Sequence, residues 1–293
     1  MTSAIETVAV CGAGGTMGAG IAIVAARAGW RTICHDLSME SLGNAARQTQ
    51  AFFAKSVERG KMSAADKDAV LARLSRTTSL DDLVKADLVI EAVFEDLAVK
   101  RQLFSALNII CPAHTIFASN TSTLSITEIA GGSGREDRVV GLHFCLPAQL
   151  MRLIEVSSGL NTSQETLERA WDWCSKAGQL PVRTQDKPGF VLNALLIPFL
   201  NDAIRAVEAG VASAADIDTA MKVGLGYKMG PLELIDLVGL DTMARLCEAF
   251  YPVTLDPRAS APPLLRRMVA AGWLGRKTGR GFFTYDGNAM FGA

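Results

Sequence analysis

The sequence predicts an α/β fold in which a doubly wound, mostly parallel sheet with a helical hairpin insert is followed by an all-α C-terminal domain. Two observations predict it. Short β-branched runs alternate with longer helical patterns up to about residue 185, and the strand patterns stop after QDKPGF at 185–190. The 293 residues are enough for two domains with separate cores. We place the first domain at 1–186 and the second at 187–293.

The strands of the first domain are predicted from short, apolar, β-branched runs. These runs are TVAV (7–10), WRTICH (30–35), DLVIEAV (87–93), TIFAS (115–119), RVVGLHF (138–144) and LIEV (153–156). Helical patterns lie between most of them, for example at 17–28 and 97–110. Residues 38–76 hold two helix-like stretches, no predicted strand, and seven basic against four acidic residues. A solvated helical hairpin and an arm over an anionic ligand both fit that charge pattern.

The second domain is predicted to consist of four helices. Their patterns are VLNALLIPFLNDAIRAVEAG (191–210), ASAADIDTAMKVG (212–224), GPLELIDLVGLDTMARLCEAF (230–250) and APPLLRRMVAAGWLG (261–275). Ser213 is a candidate N-cap for the second helix, and Pro231 suits the first turn of the third.

Composition excludes several classes of protein. Lys plus Arg is 29 and Asp plus Glu is 30, which argues against bulk binding to nucleic acid or to an anionic membrane. No apolar run approaches the roughly 20 residues needed to cross a bilayer, and the N-terminus lacks a basic region before its apolar stretch. The six cysteines form no CxxC pair. They indicate thiols in a reducing compartment, with neither disulfides nor a metal site, so the cytoplasm is the expected location.

A glycine cluster separates the first strand from the first helix, in VAVCGAGGTMGAGIA at 8–22. Glycines permit a tight turn and close backbone approach, and the N-terminus of the helix offers free N–H groups to a pyrophosphate. Asp36 ends the second strand, 18 residues beyond Gly18. A carboxylate there accepts hydrogen bonds from both ribose hydroxyls of NAD and repels the 2′-phosphate of NADP. This order of features predicts a Rossmann-type NAD site.

The spacing of the glycines leaves two registers open. Gly12, Gly14 and Gly18 spell GxGxxxG, one residue longer than the usual form, whereas Ala13, Gly15 and Gly18 keep the usual spacing with alanine first. We favour an expanded turn that begins at Gly12.

The apolar run VVGLHFCLPAQLMRLIEV at 139–156 carries His143 and Glu155. Each needs a polar partner if buried, so the two form either a partnered core pair or an acid–base pair that faces a ligand. Imidazole suits a proton acceptor because its ordinary pKa, about 6.5, lies near working pH. A carboxylate on its other ring nitrogen fixes the tautomer. We expect LPAQL to turn the chain so that the strand with Glu155 returns beside His143.

Several segments resemble the short-chain-length form of the L-3-hydroxyacyl-CoA dehydrogenase family, which includes bacterial 3-hydroxybutyryl-CoA dehydrogenases. The matching segments are GTMGAGIA (15–22), EAVFEDLAVK (91–100), ASNTSTL (118–124), GLHFCLP (141–147), MRLIEV (151–156), KPGFVLNALLIPFLNDAI (187–204), GYKMGPLELIDLVGLDT (226–242) and GRKTGRGFFTYD (275–286). They follow the order of the family and span nearly the whole chain.

The resemblance implies NAD-dependent oxidation of a (3S)-3-hydroxyacyl-CoA to the 3-ketoacyl-CoA, with its reverse, by a homodimer. It implies that His143 is the general base, that Glu155 orients it, and that Ser122 and Asn193 bind the substrate. The residues expected to bind the cofactor are Gly12, Gly14, Gly15, Thr16, Met17, Asp36, Ala92, Glu95, Lys100, Asn120 and Lys277. Lys55 and Lys61 either meet the phosphates of coenzyme A or lie on a solvated face.

Two positions depart from the family pattern. Leu146 stands where the family usually has an asparagine that helps hold the nicotinamide ribose, and Ala194 stands where it usually has arginine.

Two other functions stay open. A related β-hydroxyacid dehydrogenase would act on a free acid, but that class is expected to rely on a lysine in its helical domain, whereas this chain offers Asn193 after a His/Glu pair. A nucleotide-binding homologue without catalysis is favoured by Leu146 alone and disfavoured by His143 and Glu155.

Overall fold

An eight-stranded sheet forms the centre of the first part of the chain in the computed structural model, which describes residues 4–285. The strands are β1 Thr7–Cys11, β2 Arg31–His35, β3 Leu74–Thr77, β4 Leu88–Glu91, β5 Ile116–Ser119, β6 Val139–Phe144, β7 Leu153–Ser158 and β8 Leu180–Gln185. Their order across the sheet is β3-β2-β1-β4-β5-β6-β7-β8. Strands β1 to β6 are parallel, and β7 is antiparallel to β6. The predicted doubly wound, mostly parallel sheet is confirmed.

Helices cover both faces of this sheet. They are α1 Thr16–Arg27, α2 Met39–Glu58, α3 Ala64–Leu71, α4 Leu97–Ile110, α5 Ile126–Ala130 and α6 Gln164–Lys176. One core cluster joins alternate strand residues to α1 and α6, and a second joins the opposite strand faces to α4 and α5. Successive side chains of a strand point to opposite faces, so buried strands of this kind are apolar throughout.

Two strands of the sheet contradict the sequence-based expectation. Residues 38–76 were expected to hold no strand, yet β3 begins at Leu74 and pairs with β2. No strand was expected at 180–185 either, yet β8 pairs in parallel with β7. Both lie at the edges of the sheet. Edge strands are half solvated, so their sequences carry a weak apolar pattern.

The strand order reverses between β1 and β4, which are neighbours in the sheet but are separated in the chain by β2 and β3. Open α/β sheets bind ligands outside the carboxyl ends of their strands at such a switch point. The glycine turn after β1 and Ala92 after β4 lie at this edge, and Ala92 N donates to Cys11 O at 2.8 Å. The fold therefore creates a crevice where the sequence predicts the cofactor.

The regular structure of residues 191–285 is helical apart from two isolated bridges. Its α-helices are α7 Leu192–Glu208, α8 Ala214–Thr219, α9 Pro231–Val238, α10 Leu240–Thr254 and α11 Pro263–Ala270, and a π-helical turn follows α8. Ser213 caps α8 by accepting from Asp216 N, and Pro231 opens α9, as predicted. The single helix expected over 230–250 is wrong: it breaks at Gly239, whose φ of +100° no helix contains.

Contacts divide the chain into two compact units, Met1–Phe190 and Val191–Ala293, each with its own apolar core. Asp286, the last residue of the GRKTGRGFFTYD segment, lies outside the described residues. All six cysteines are free thiols. Between residues 4 and 285, no helix is long and apolar enough to cross a membrane.

Candidate active site

His143 and Glu155 face each other across the antiparallel pair β6 and β7, where they are register partners. The turn between the strands brings them together, as the sequence predicted. His143 Nδ1 lies 2.7 Å from Glu155 Oε2, and the two side chains are 7% and 1% exposed. A buried ring held in this way has a fixed orientation, and its second nitrogen remains available for chemistry.

That second nitrogen points to the loop that follows β5. His143 Nε2 lies 3.0 Å from Ser122 Oγ, so a hydroxyl, an imidazole and a carboxylate form a continuous chain. The Phe190 ring packs against the imidazole at 5.4 Å between centroids, with its backbone in the left-handed region at φ +49°. Burial and the nearby Glu155 carboxylate raise the pKa of Cys145, so this neighbouring thiol stays protonated.

A second polar cluster lies at the carboxyl ends of β4 and β5. Lys100 is 1% exposed, and its Nζ lies 2.6 Å from Glu91 Oε1 and 3.2 Å from Glu95 Oε2. Glu91, which is 0% exposed, also accepts from Ser119 Oγ at 2.6 Å. Burial raises the pKa of Glu95, but the Lys100 charge and hydrogen bonds from residues 121–123 outweigh it and hold that pKa below its ordinary value. The pair Glu91–Lys100 is thus a fully buried ion pair with additional hydrogen bonds.

Asn120 connects the β5 loop to the strand that carries His143. Its Oδ1 accepts from Phe144 N at 2.9 Å, and its own N–H donates to Glu91 O at 2.8 Å. The side chain thereby fixes the end of β6 against the end of β5. This contact supports the position of His143.

The glycine turn has the shape that a pyrophosphate requires. A methyl group built at Gly12, whose φ is +85°, would lie 2.4 Å from Ala92 O, and one at Gly18 would lie 2.2 Å from Gly12 O. Both positions therefore exclude side chains. At Gly15 the nearest atom would be Gly12 O at 3.4 Å, so the outer side of the turn is open. No side chain caps the first turn of α1, whose N-cap is Gly15, and its amides can bind an anion.

Asp36 follows β2 directly and faces the same turn. Its Oδ2 accepts from Gly14 N at 3.0 Å and its Oδ1 from Ser38 N at 3.2 Å. A carboxylate has about four acceptor sites, so it can also bind ribose hydroxyls. The preceding residue, His35, is 4% exposed, and burial lowers its pKa. These residues fit NAD, because the open turn has room for a diphosphate and the carboxylate has acceptor sites for ribose hydroxyls.

Comparison with known protein families agrees with this geometry. Residues 7–187 match the NAD binding domain of 3-hydroxyacyl-CoA dehydrogenase, and residues 189–285 match the C-terminal domain of the same enzyme family. The chain belongs to the 3-hydroxyacyl-CoA dehydrogenase family. The predicted resemblance and the predicted NAD cofactor are therefore confirmed.

Individual relatives of this dehydrogenase family align over almost their whole length. The probable 3-hydroxybutyryl-CoA dehydrogenase of Bacillus subtilis is 43% identical over 282 residues, which are 96% of this chain and 98% of the relative. The mitochondrial hydroxyacyl-coenzyme A dehydrogenase of Rattus norvegicus is 43% identical over 96% of this chain and 91% of its own. The crystal structure of (S)-3-hydroxybutyryl-CoA dehydrogenase PaaH1 from Ralstonia eutropha superposes with a TM-score of 0.91 at 38% identity, covering 97% and 100% of the two chains.

The structure also shows the surroundings of four more residues predicted from the dehydrogenase family. Asn193 lies in the first turn of α7 and is partly buried. Lys277 Nζ donates a hydrogen bond to Asp241 Oδ1. This hydrogen bond is the main reason that the pKa of Asp241 lies below its ordinary value. Lys55 and Lys61 are both exposed, at the end of α2 and just after it, which fits a solvated face and a phosphate contact equally.

Sequence reasoning missed Glu91, Thr121 and Thr123, which connect Lys100 and Glu95 to the loop of Ser122. Glu91 had a usable signal, because a carboxylate inside the apolar run DLVIEAV must find a partner. The two threonines stand on either side of Ser122 and carry no pattern that separates them from other loop hydroxyls. Only the folded positions of the β4 and β5 loops identify them in this dehydrogenase.

Proposed function

We propose that this protein oxidises a (3S)-3-hydroxyacyl-CoA to the 3-ketoacyl-CoA with NAD, and catalyses the reverse reaction, with His143 as general base oriented by Glu155. The observation that carries the proposal is the chain Ser122 Oγ, His143 Nε2, His143 Nδ1 and Glu155 Oε2, with contacts of 3.0 and 2.7 Å. Membership in the family and the names of the relatives support the substrate class. The name of the Bacillus subtilis relative favours 3-hydroxybutyryl-CoA as the substrate to test first.

The chemistry requires that the hydroxyl proton leave as the carbon loses hydride. NAD supplies the hydride acceptor when it is bound. His143 Nε2 takes the proton from the substrate oxygen, which leaves a carbonyl, and the Glu155 carboxylate stabilises the imidazolium that forms. We assign the Ser122 hydroxyl, which lies 3.0 Å from Nε2, a hydrogen bond to the same substrate oxygen. Because His143 and Glu155 are buried, the attraction between the imidazolium and the carboxylate is stronger than it would be in water.

The other predicted roles belong to the same proposal. Asp36 and the amides of the glycine turn hold the adenosine and diphosphate parts of NAD, and Asn193 contacts the acyl-CoA from the helical domain. This domain, 187–293, also forms a homodimer, since apolar side chains such as Leu225 and Leu255 are exposed on it by 63% and 72%. Six free thiols favour a reducing location, the cytoplasm.

One assay tests the proposal against its alternatives. NADH absorbance is followed with acetoacetyl-CoA, with free acetoacetate and without substrate. We expect oxidation of NADH with acetoacetyl-CoA only. A preference for free acetoacetate would indicate a β-hydroxyacid dehydrogenase, and no oxidation with either substrate by protein that binds NADH would indicate a homologue without catalysis.

A further inference from the structure

The Ser122 backbone is held from both sides, although its loop has no regular structure. Its N–H donates to Glu95 Oε1 at 2.8 Å, and its carbonyl accepts from Gly189 N at 3.2 Å. Between these two contacts its hydroxyl reaches His143 Nε2. The distance from this hydroxyl to the imidazole therefore depends on where Glu95 holds the loop.

A single oxygen of Glu95 binds three consecutive residues of this loop. Oε1 accepts from Thr121 Oγ1 at 2.5 Å, from Ser122 N at 2.8 Å, and from Thr123 N and Oγ1 at 2.9 Å each. A charged oxygen suits four donors, because hydrogen bonds to an ionised group are about twice as strong as those between neutral groups. The loop of β5 is therefore anchored to the loop of β4 through one side chain.

The orientation of the Glu95 side chain is fixed in turn by Lys100 and Glu91. Its other oxygen, Oε2, lies 3.2 Å from Lys100 Nζ, and that ammonium lies 2.6 Å from Glu91 Oε1. Glu91 is the last residue of β4, and Val93 N donates to the same oxygen at 2.8 Å. Burial of a lysine with two carboxylates is costly unless every contact is made. Here the contacts define one position for Glu95, whose side chain is still 37% exposed.

We propose that Glu95 is a positioning residue for the reaction: it sets Ser122 Oγ at His143 Nε2, and the Glu91–Lys100 ion pair holds Glu95 in place for that purpose. The proposal rests on the function proposed above. It differs from a direct contact with the cofactor, because Glu95 would act through Ser122 and the imidazole. A displacement of about 1 Å at a reacting group can cost roughly 100-fold in rate.

The first test is a double-mutant cycle between Glu95→Gln and Ser122→Ala, measured as kcat/KM with acetoacetyl-CoA and saturating NADH. We expect Glu95→Gln to lower kcat/KM by about 10- to 100-fold in the native background. In the Ser122→Ala background, Glu95→Gln should lower kcat/KM less than about threefold, since substitutions of residues that act through one another have non-additive effects. Glu128→Gln, an exposed carboxylate in α5, is the matched control and should keep native activity. Equal losses in both backgrounds would overturn the proposal.

The second test needs no turnover, so it separates failure of this proposal from failure of the proposed function. The chain has three histidines, and nitrogen-15 spectra of the ligand-free protein can resolve the His143 Nε2 resonance, assigned with His143→Asn. We expect Ser122→Ala and Glu95→Gln to move this resonance in the same direction, and Glu128→Gln to leave it unchanged. Thr123→Val, which removes one of the four hydrogen bonds, should cause a smaller shift and serves if Glu95→Gln does not fold. The positioning role would be refuted if His143 Nε2 kept its native chemical shift in the folded Glu95→Gln or Thr123→Val variant, or in Ser122→Ala.

Discussion

Glu91, His143 and Glu155 are polar side chains inside apolar strands, and each has a hydrogen-bonding partner in the structure. A buried polar group without a partner costs about 1–3 kcal/mol, so such residues can be read from a sequence as one half of a pair. That reasoning predicted the His143–Glu155 contact because the LPAQL turn returns the chain. It could not pair Glu91 with Lys100, because Lys100 lies nine positions further along the chain, inside α4.

At the residue scale, Asp36 should decide which dinucleotide is used. Its carboxylate would accept hydrogen bonds from the ribose hydroxyls and repel a 2′-phosphate, so NAD should have a clearly higher kcat/KM than NADP. Asp36→Ala removes both effects, so the kcat/KM values with NAD and NADP should become more similar. Steady-state kinetics with each cofactor measure these values, and comparable efficiencies for the native protein would contradict the assignment.

Secondary structure was predictable where elements are buried and less so at edges. The central strands and the helices against them have long apolar runs, and each lies within a few residues of its predicted place. The edge strand β8 has the burial pattern of an exposed segment, and LSRT of β3 is mostly polar. The break at Gly239 was hidden because the apolar period of 230–250 continues through it, and only its φ of +100° reveals two helices.

Two glycines in helices provide a matched pair of substitutions. A methyl group at Gly18 would lie 2.2 Å from Gly12 O, whereas at Gly43 in α2 the nearest atom would be a flexible Arg47 nitrogen at 3.8 Å. Gly18→Ala should therefore distort the turn and weaken NAD binding by tenfold or more, about 1.4 kcal/mol. Gly43→Ala should bind NAD normally and gain roughly 0.5–1 kcal/mol of stability. Calorimetric titration with NAD measures the affinity, and urea unfolding measures the stability. Native NAD affinity in Gly18→Ala would contradict the tight turn inferred at Gly12 and Gly18.

The loop anchored by Glu95 should give the protein a pH-dependent stability. The pKa of Glu95 lies below its ordinary value in the folded state, so its contribution is complete above the unfolded pKa of about 4.3 and is lost as pH falls through the folded pKa. The free energy of unfolding of the native protein should therefore exceed that of Glu95→Gln at pH 7, and the gap should shrink below about pH 4. Urea unfolding at several pH values checks this. A gap that stays constant down to the acid transition would mean that Glu95 is not ionised in the fold.

At the scale of the whole molecule, the sequence predicted a sheet unit followed by a helical unit, and the two family matches follow the same order. Exposed apolar side chains lie on both units, and those on the helical unit are found in and beside α7, on the segment after α8, and at the ends of α9 and α10. Sequence alone could not show which apolar residues remain outside a core. Their exposure becomes visible only when the packing is known.

The predicted homodimer should appear in light scattering at micromolar concentration as a mass twice that of the 31.2 kDa chain. Leu237→Glu, at the end of α9 where the native side chain is 44% exposed, should shift the mass toward the monomer by placing a charge in the interface. Ile109→Glu, on the sheet unit where the native side chain is 86% exposed, is the control and should leave the mass unchanged. A native protein that scatters as the 31.2 kDa monomer would count against the dimer.

The most direct measurement of the central claim is turnover with acetoacetyl-CoA for His143→Ala, Glu155→Gln and the double mutant, with melting temperature and NADH affinity measured on each. His143→Ala should lose roughly 10²–10⁴-fold because it removes the base. Glu155→Gln should lose turnover strongly with little change in NADH binding, and the double mutant should be hardly worse than His143→Ala. Folded, NADH-binding His143→Ala protein with near-native turnover would contradict the account.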